Sequence, residues 1–105
     1  MTDTLSPTWS VYLIRTVSNS LYTGVTTDVA RRFVEHQNGR SGAKYLRGKG
    51  PLTLVYHAPC QSKRRAFQWE FFIKRWPKST KEALVSSQLP LAVFASQFGL
   101  SMKFS

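Results

Sequence analysis

The sequence predicts one small domain built from both strands and helices, and three observations carry that reading. Residues 9–25 are rich in β-branched and aromatic residues on either side of a turn-forming Ser18-Asn19-Ser20, the pattern of a hairpin. Residues 28–38 and 63–76 carry apolar residues at helical spacing between recognisable start and stop signals. A third β-rich run, residues 52–57, falls between those helices. At 105 residues the chain is limited to one domain, because two halves would each be too small to bury a core.

Taken in order, residues 1–8 form a polar arm expected to be mobile, 9–88 the domain, and 89–105 an apolar tail. Strands at 9–15 and 21–25 form the hairpin, and Gly24 weakens the second one unless a backbone or ligand must come close there. Thr26-Thr27-Asp28 supplies N-cap chemistry and Gly39 a stop for the first helix. At about 100° per residue, Val29, Ala30, Phe33 and Gln37 share one face of it. Arg32 and His36 lie together on the border of that face, and Arg31 points away. Residues 39–51 read as a glycine-rich basic loop with one helical turn. The third strand covers 52–57 and stops by Pro59. The long helix at 63–76 is stopped by Pro77, whose ring cannot continue the backbone ladder. Its predicted buried arc is Ala66, Trp69, Phe72, Ile73 and Trp76. Ser79-Thr80-Lys81-Glu82 has the form of a capping box, opening a last short helix to about Ser87. Residues 89–105 show no clear period. They are expected to pack on the domain or a partner, because a contiguous exposed apolar patch is costly.

Fifteen Lys and Arg against five Asp and Glu give a net charge of +10. That charge points to a polyanionic partner, nucleic acid ahead of an anionic membrane. A single cysteine, Cys60, excludes an intramolecular disulfide framework and a Cys-rich zinc site, and its neighbours give no reason for a reactive thiol. The first residues lack the basic and apolar segments of a secretory signal. Residues 89–102 fall short of the roughly 20 needed for a membrane span and are interrupted by Pro90, Gln97 and Gly99. A cytoplasmic protein with no membrane partner is expected.

Some side chains could carry chemistry, each with a plainer reading beside it. Glu70 falls at the edge of the apolar arc of the long helix, surrounded by cations. It is either the i,i+4 partner of Lys74, worth about 0.2–0.5 kcal/mol, or a metal ligand facing a phosphate cleft. His36 is either a hydrogen-bonded structural residue or, beside Arg32, part of a phosphate-binding pair. Tyr12 and Tyr22, one on each hairpin strand, are ordinary strand residues unless a nearby cation or metal lowers a phenol pKa. Lys44, Arg47 and Lys49 are either phosphate-positioning charges or a solvated loop. His57, within a strand, reads as structural.

These pieces in this order resemble the GIY-YIG nuclease family. Ser10-Val11-Tyr12 matches the first signature and Tyr22-Thr23-Gly24 the second, about ten residues on. The run from Asp28 to His36 is similar to the family's helix, whose arginine and histidine fall on Arg32 and His36. The segment from Ala66 to Lys74 is similar to the one holding the metal-binding glutamate, which falls on Glu70. Ser10 replaces a glycine, Thr23 stands where isoleucine or valine is usual, and no asparagine follows Asn38. The resemblance is strongest to small stand-alone bacterial members.

It implies an α+β domain, a small three-stranded antiparallel sheet flanked by helices. It also implies phosphodiester hydrolysis with one divalent metal, Mg²⁺ or Mn²⁺, and nucleic acid as partner, DNA ahead of RNA, with little sequence specificity. Glu70 would hold the metal and Arg32 would neutralise the phosphoryl oxygens. Tyr12 would be the general base, with Tyr22 and His36 orienting water or phosphate. Gly24 would be a position where bulk obstructs the substrate backbone, and Lys44, Arg47, Lys49, Arg64 and Lys74 would contact the strand. The competing reading is a non-catalytic nucleic-acid-binding module derived from a nuclease. A weaker one is a membrane-surface or protein-interaction role for residues 89–105.

Overall fold

The computed structural model describes residues 7–39 and 41–104. Most of the expected polar arm lies outside the described residues. The elements are β1 (Ser10–Arg15), β2 (Leu21–Thr26), α1 (Val29–Asn38), a 3-10 turn (Lys44–Leu46), β3 (Thr53–Pro59), α2 (Lys63–Arg75), α3 (Lys78–Ser87) and α4 (Leu91–Gln97).

The fold is α+β. The strands form one antiparallel sheet in the order β2-β1-β3, so β1 is central. Val11, Tyr12, Leu13 and Ile14 of β1 are all buried, because both sheet faces are covered. Val11 and Leu13 join the larger core with Trp69 and Ile73 of α2, Leu84 of α3 and Phe94 of α4. Tyr12 and Ile14 point the other way, into a smaller core with Leu46, Leu52, Val29 and Phe33. Helix α1 and its following loop therefore cover one face, and α2, α3 and α4 the other. A bulge makes this consistent on β3: Leu13 pairs with Tyr56 but Ile14 with Leu54, leaving Val55 over. Without that extra residue, Leu54 and Tyr56 would share a face; with it they enter different cores.

Helix α1 begins as its residues predict. The Asp28 side chain accepts from the Arg31 backbone N–H at 3.0 Å, and Gly39, at φ 78°, ends the helix in the left-handed region. Its inward face is rotated from the predicted one. Ala30 is exposed and His36 is buried, so the stripe runs through Val29, Phe33 and His36. A polar histidine is accepted there because both ring nitrogens find partners.

Helix α2 is capped by Ser62, whose side chain accepts from Arg65 N–H at 3.1 Å. Ala66, Trp69 and Ile73 are buried; Phe72 and Trp76 are half-buried, and Trp76 is the C-cap rather than a helical residue. Full burial of a side chain such as Ile73 stabilises by about 1.5–3 kcal/mol.

The capping box predicted at Ser79–Glu82 does not form. Helix α3 starts at Lys78, after Pro77, with no side-chain cap. Glu82 is instead taken by Arg15, whose two guanidinium nitrogens donate to its two oxygens at 2.7 and 2.8 Å. A bidentate charged pair outcompetes one backbone N–H.

The apolar tail packs on the domain. Leu91, Phe94 and Ala95 of α4 are buried in the larger core, and Leu89, Leu100, Met102 and Phe104 pack against it. The Tyr56 hydroxyl donates to Leu89 O at 2.7 Å, fastening the start of this segment to β3. Among the described residues, no helix is long and apolar enough to cross a membrane.

Candidate active site

Antiparallel pairing sets Tyr12 opposite Gly24. The Tyr12 ring leans across Gly24, where a Cβ would lie 2.6 Å from Tyr12 Cζ. The space above Gly24 is thus filled by the chain's own phenol, which corrects the expectation that a substrate backbone needs it. The second signature supplies the room in which the tyrosine of the first can lie down.

Helix α1 meets that phenol with His36. Tyr12 Oη and His36 Nε2 are 2.7 Å apart. The Ala43 backbone N–H donates to His36 Nδ1 at 3.1 Å. A backbone N–H can only donate, so in the neutral ring Nδ1 is the acceptor and Nε2 carries the proton. His36 therefore donates to Tyr12, and the Tyr12 proton is free for another acceptor. Burial, then the nearby Arg32, holds the His36 pKa below its ordinary value, while Glu35 opposes them. This keeps the imidazole neutral and the tautomer defined. Gly42 lets the loop close on the ring, since a Cβ there would lie 2.7 Å from His36 Cα.

Arg32 occupies the border predicted for it. Its side chain is 29% exposed, against 60% for Arg31. One guanidinium nitrogen donates to Glu35 Oε1 at 2.9 Å and to Ser41 O at 2.8 Å, which fixes its direction beside Tyr12. Burial pushes the Tyr12 phenol up to about 12, with Tyr22 adding to the rise, Arg32 opposing it and Glu70 adding a smaller push. Glu70 reaches this group from α2, which packs on β1 and β2. Its side chain is 18% exposed, and a carboxylate oxygen lies 3.3 Å from Lys74 Nζ.

Tyr22 completes the cluster. Its ring centroid is 6.3 Å from Tyr12 and 5.6 Å from His36, edge-on to the imidazole. Tyr45 stacks on its outer side at 5.9 Å, and Lys49 Nζ sits 4.4 Å from the Tyr45 centroid.

Tyr12, Tyr22, Arg32, His36 and Glu70 are thus brought together from β1, β2, α1 and α2. Lys44 and Arg47 are exposed on the loop beyond Tyr45, and Arg64 and Lys74 on α2. His57 is exposed and pairs with Tyr12 across β1 and β3, on the sheet away from Gly24. Glu35, Gly42, Ala43 and Tyr45 were not singled out in the sequence. Glu35 was legible as the i+3 partner of Arg32. The others act through loop closure, which leaves no local signal.

The model of the GIY-YIG catalytic domain family matches residues 8–83. The chain belongs to the GIY-YIG family. Its relatives include the UPF0213 protein of Cronobacter sakazakii, 53% identical over 88 residues, covering 84% of this chain and 92% of that one. The UPF0213 protein of Vibrio campbellii is 48% identical over 97 residues, 92% of each chain. The solution NMR structure of the UPF0213 protein of Bacillus halodurans is 37% identical, with a TM-score of 0.52, covering 90% of this chain and 99% of that one. The GIY-YIG domain is a nuclease-family domain, so the two signatures belong to a catalytic fold.

GIY-YIG nucleases generally use divalent metals, and the donor set here can be tested against that. Among the described residues no cluster of three His, Cys, Asp or Glu could enclose an ion. Two carboxylates stand near the cluster: Glu35 is taken up by Arg32 at 2.9 Å, which leaves Glu70 as the candidate ligand. Mg²⁺ commonly takes only one or two carboxylates and completes its shell with water and substrate phosphate. The site fits an ion of that kind, held jointly with substrate, and does not form a closed protein cage.

Proposed function

We propose that this chain is a divalent-metal-dependent endonuclease that hydrolyses nucleic-acid phosphodiester bonds, DNA ahead of RNA, with little sequence specificity. The observation that carries the reading is the convergence of a carboxylate, a guanidinium and a hydrogen-bonded phenol–imidazole pair in a strongly cationic chain. Binding alone has no use for Glu70, which repels phosphate.

In this reading Glu70 would hold one Mg²⁺ or Mn²⁺, which would supply positive charge for the leaving oxygen and favour the ionised form of Tyr12. Tyr12, ionised by loss of its own proton to solvent, takes the proton of the attacking water, and the leaving oxygen is protonated from solvent. His36 Nε2–H and Arg32 both favour negative charge on the Tyr12 oxygen, against the burial that holds the phenol near 12. Arg32 also neutralises the phosphoryl oxygens as charge builds in the transition state. Tyr22 lines the cluster and orients water or phosphate. Lys44, Arg47, Lys49, Arg64 and Lys74 draw in the strand by counterion release, with a log–log salt slope of roughly −0.9 per phosphate contact on duplex DNA.

One observation favours the non-catalytic alternative: Glu70 is paired with Lys74 at 3.3 Å, as a purely structural carboxylate would be. Glu70→Gln separates the two readings in a Mg²⁺ and Mn²⁺ titration on single-stranded DNA, duplex DNA and RNA, with a chelator control. The nuclease reading expects metal-dependent cleavage to fall by roughly 10²-fold or more, while binding persists or tightens. Wild-type-like cleavage by Glu70→Gln overturns the metal assignment. Absence of cleavage by the wild type with every metal and substrate supports the binding module.

A further inference from the structure

The outward face of α2 carries aromatic rings that the active-site cluster does not use. Phe67 is 43% and Phe71 51% exposed, although both stand on a helix whose other face builds the main core. With Phe72 they floor a groove of about 430 Å³, rimmed by Arg64 and Lys103. That volume lies in the range of small-ligand sites, about 300–1,000 Å³, enough for a nucleobase with its sugar.

We infer that this groove binds an unpaired nucleotide of a single strand, its base stacked on Phe71 and its phosphates held by Arg64 and Lys103. Three observations point there. First, a groove ring already carries a flat cation on one face: the Arg75 guanidinium lies 3.7 Å from the Phe71 centroid. Beside the groove, Lys63 Nζ lies 5.4 Å from the Trp9 centroid, and Trp9 packs on Phe67 at 5.7 Å. A ring that holds a guanidinium this way can hold the flat face of a base, and a base that displaces the guanidinium frees the cation for phosphate. Second, α2 has five basic residues and a single acid, Glu70. A second copy of this chain would set like charge against like charge, whereas a polyanion complements the face. Exposed aromatics interleaved with cations are the means by which proteins hold single strands, at about 1–3 kcal/mol per stacked base. Third, Phe67 lies at i−3 and Lys74 at i+4 from Glu70, so the groove adjoins that carboxylate on one helical surface. A strand that crosses the cluster runs its neighbouring nucleotides over Phe67 and Phe71.

The inference rests on nucleic acid being the partner, but it concerns binding and does not require cleavage. The test is the affinity of wild type, Phe71→Ala and Phe71→Trp for a fluorescent single-stranded oligonucleotide and for a duplex of equal length. It is run at fixed salt with chelator present, with thermal melting as a folding control. The expected result is a loss of about tenfold on the single strand for Phe71→Ala, corresponding to roughly one stacked base, an unchanged duplex affinity, and rescue by Phe71→Trp. Equal losses on both substrates, or no loss on either, overturn the stacking site while leaving the nuclease reading intact. Failure of the wild type to bind either substrate overturns the stacking site. Phe71-dependent binding to phosphatidylglycerol vesicles with no preference for the single strand assigns the face to a membrane and overturns the inference. A Phe71-dependent dimer with no such preference assigns it to self-association and does the same. Single-strand binding that depends on Phe71 in a chain that cuts nothing supports the groove and removes the nuclease.

Discussion

Tyr12 and Gly24 face one another across β1 and β2, and the ring of Tyr12 fills the volume that a side chain at position 24 would occupy. The two signatures are thus halves of one packing arrangement. The bare backbone of one lets the phenol of the other reach His36.

Gly24→Ala is expected to push the Tyr12 ring aside and stretch its 2.7 Å contact with His36. Overpacking of this kind costs about 1–3 kcal/mol. We expect a folded protein with a lower melting temperature and most cleavage lost. Wild-type cleavage and melting in Gly24→Ala would show that Tyr12 does not need its present position.

Arg31 and Arg32 are adjacent and should behave differently. Arg32 is held by Glu35 and Ser41 O beside Tyr12, whereas Arg31 extends to solvent and reaches Glu35 only at 3.9 Å. Arg32→Ala should cut the cleavage rate by roughly 10²–10³-fold, the usual cost of losing a preorganised transition-state partner. Arg31→Ala should weaken binding modestly and leave the rate at saturation near wild type. Single-turnover kinetics on the two variants separate these effects, and equal losses would refute the assignment.

The Arg15–Glu82 pair ties β1 to α3 and should make stability depend on acid. Hydrogen bonds from Arg15, then Lys78, hold the Glu82 carboxyl down at about 2, below its ordinary value of 4.5. A carboxyl with a depressed folded-state pKa stabilises fully above the ordinary value, and that contribution disappears as pH falls from there toward about 2. Both side chains are partly solvated, so the pair is worth about 1 kcal/mol after screening. Melting temperatures of wild type and Glu82→Gln should differ at neutral pH and converge between about 4.5 and 2. A difference that is constant across that range would exclude the linkage.

Truncation after Gln88 removes Leu91, Phe94 and Ala95 from the main core. Loss of large buried apolar side chains costs about 2–5 kcal/mol each. The shortened chain should melt far lower or aggregate, with no loss of active-site groups. An unchanged melting temperature in a monodisperse shortened protein would mean that the tail is dispensable to the core.

Local chemistry carried much of the architecture. The hairpin, the third strand, the Asp28 start and Gly39 end of α1, and the Pro77 stop of α2 are legible in the residues alone, because these depend on neighbours within a few residues. The spacing of Arg32 and His36, and the place of Glu70 at the border of an apolar arc, also follow from helical period alone. Helix α4 has no clear period in the sequence because Ala92, Val93 and Phe98 are apolar yet exposed, hiding the i, i+3, i+4 pattern of Leu91, Phe94 and Ala95. Glu82 looked like a cap because its partner, Arg15, is 67 residues away in the chain. What fills the space above Gly24, which histidine nitrogen carries the proton, and which face of α1 turns inward come from the tertiary structure alone. Each depends on a contact between segments distant in sequence: a cross-strand ring, a backbone N–H from the next loop, and the phase in which a helix meets the sheet. Composition and period do not encode such distances; packing does.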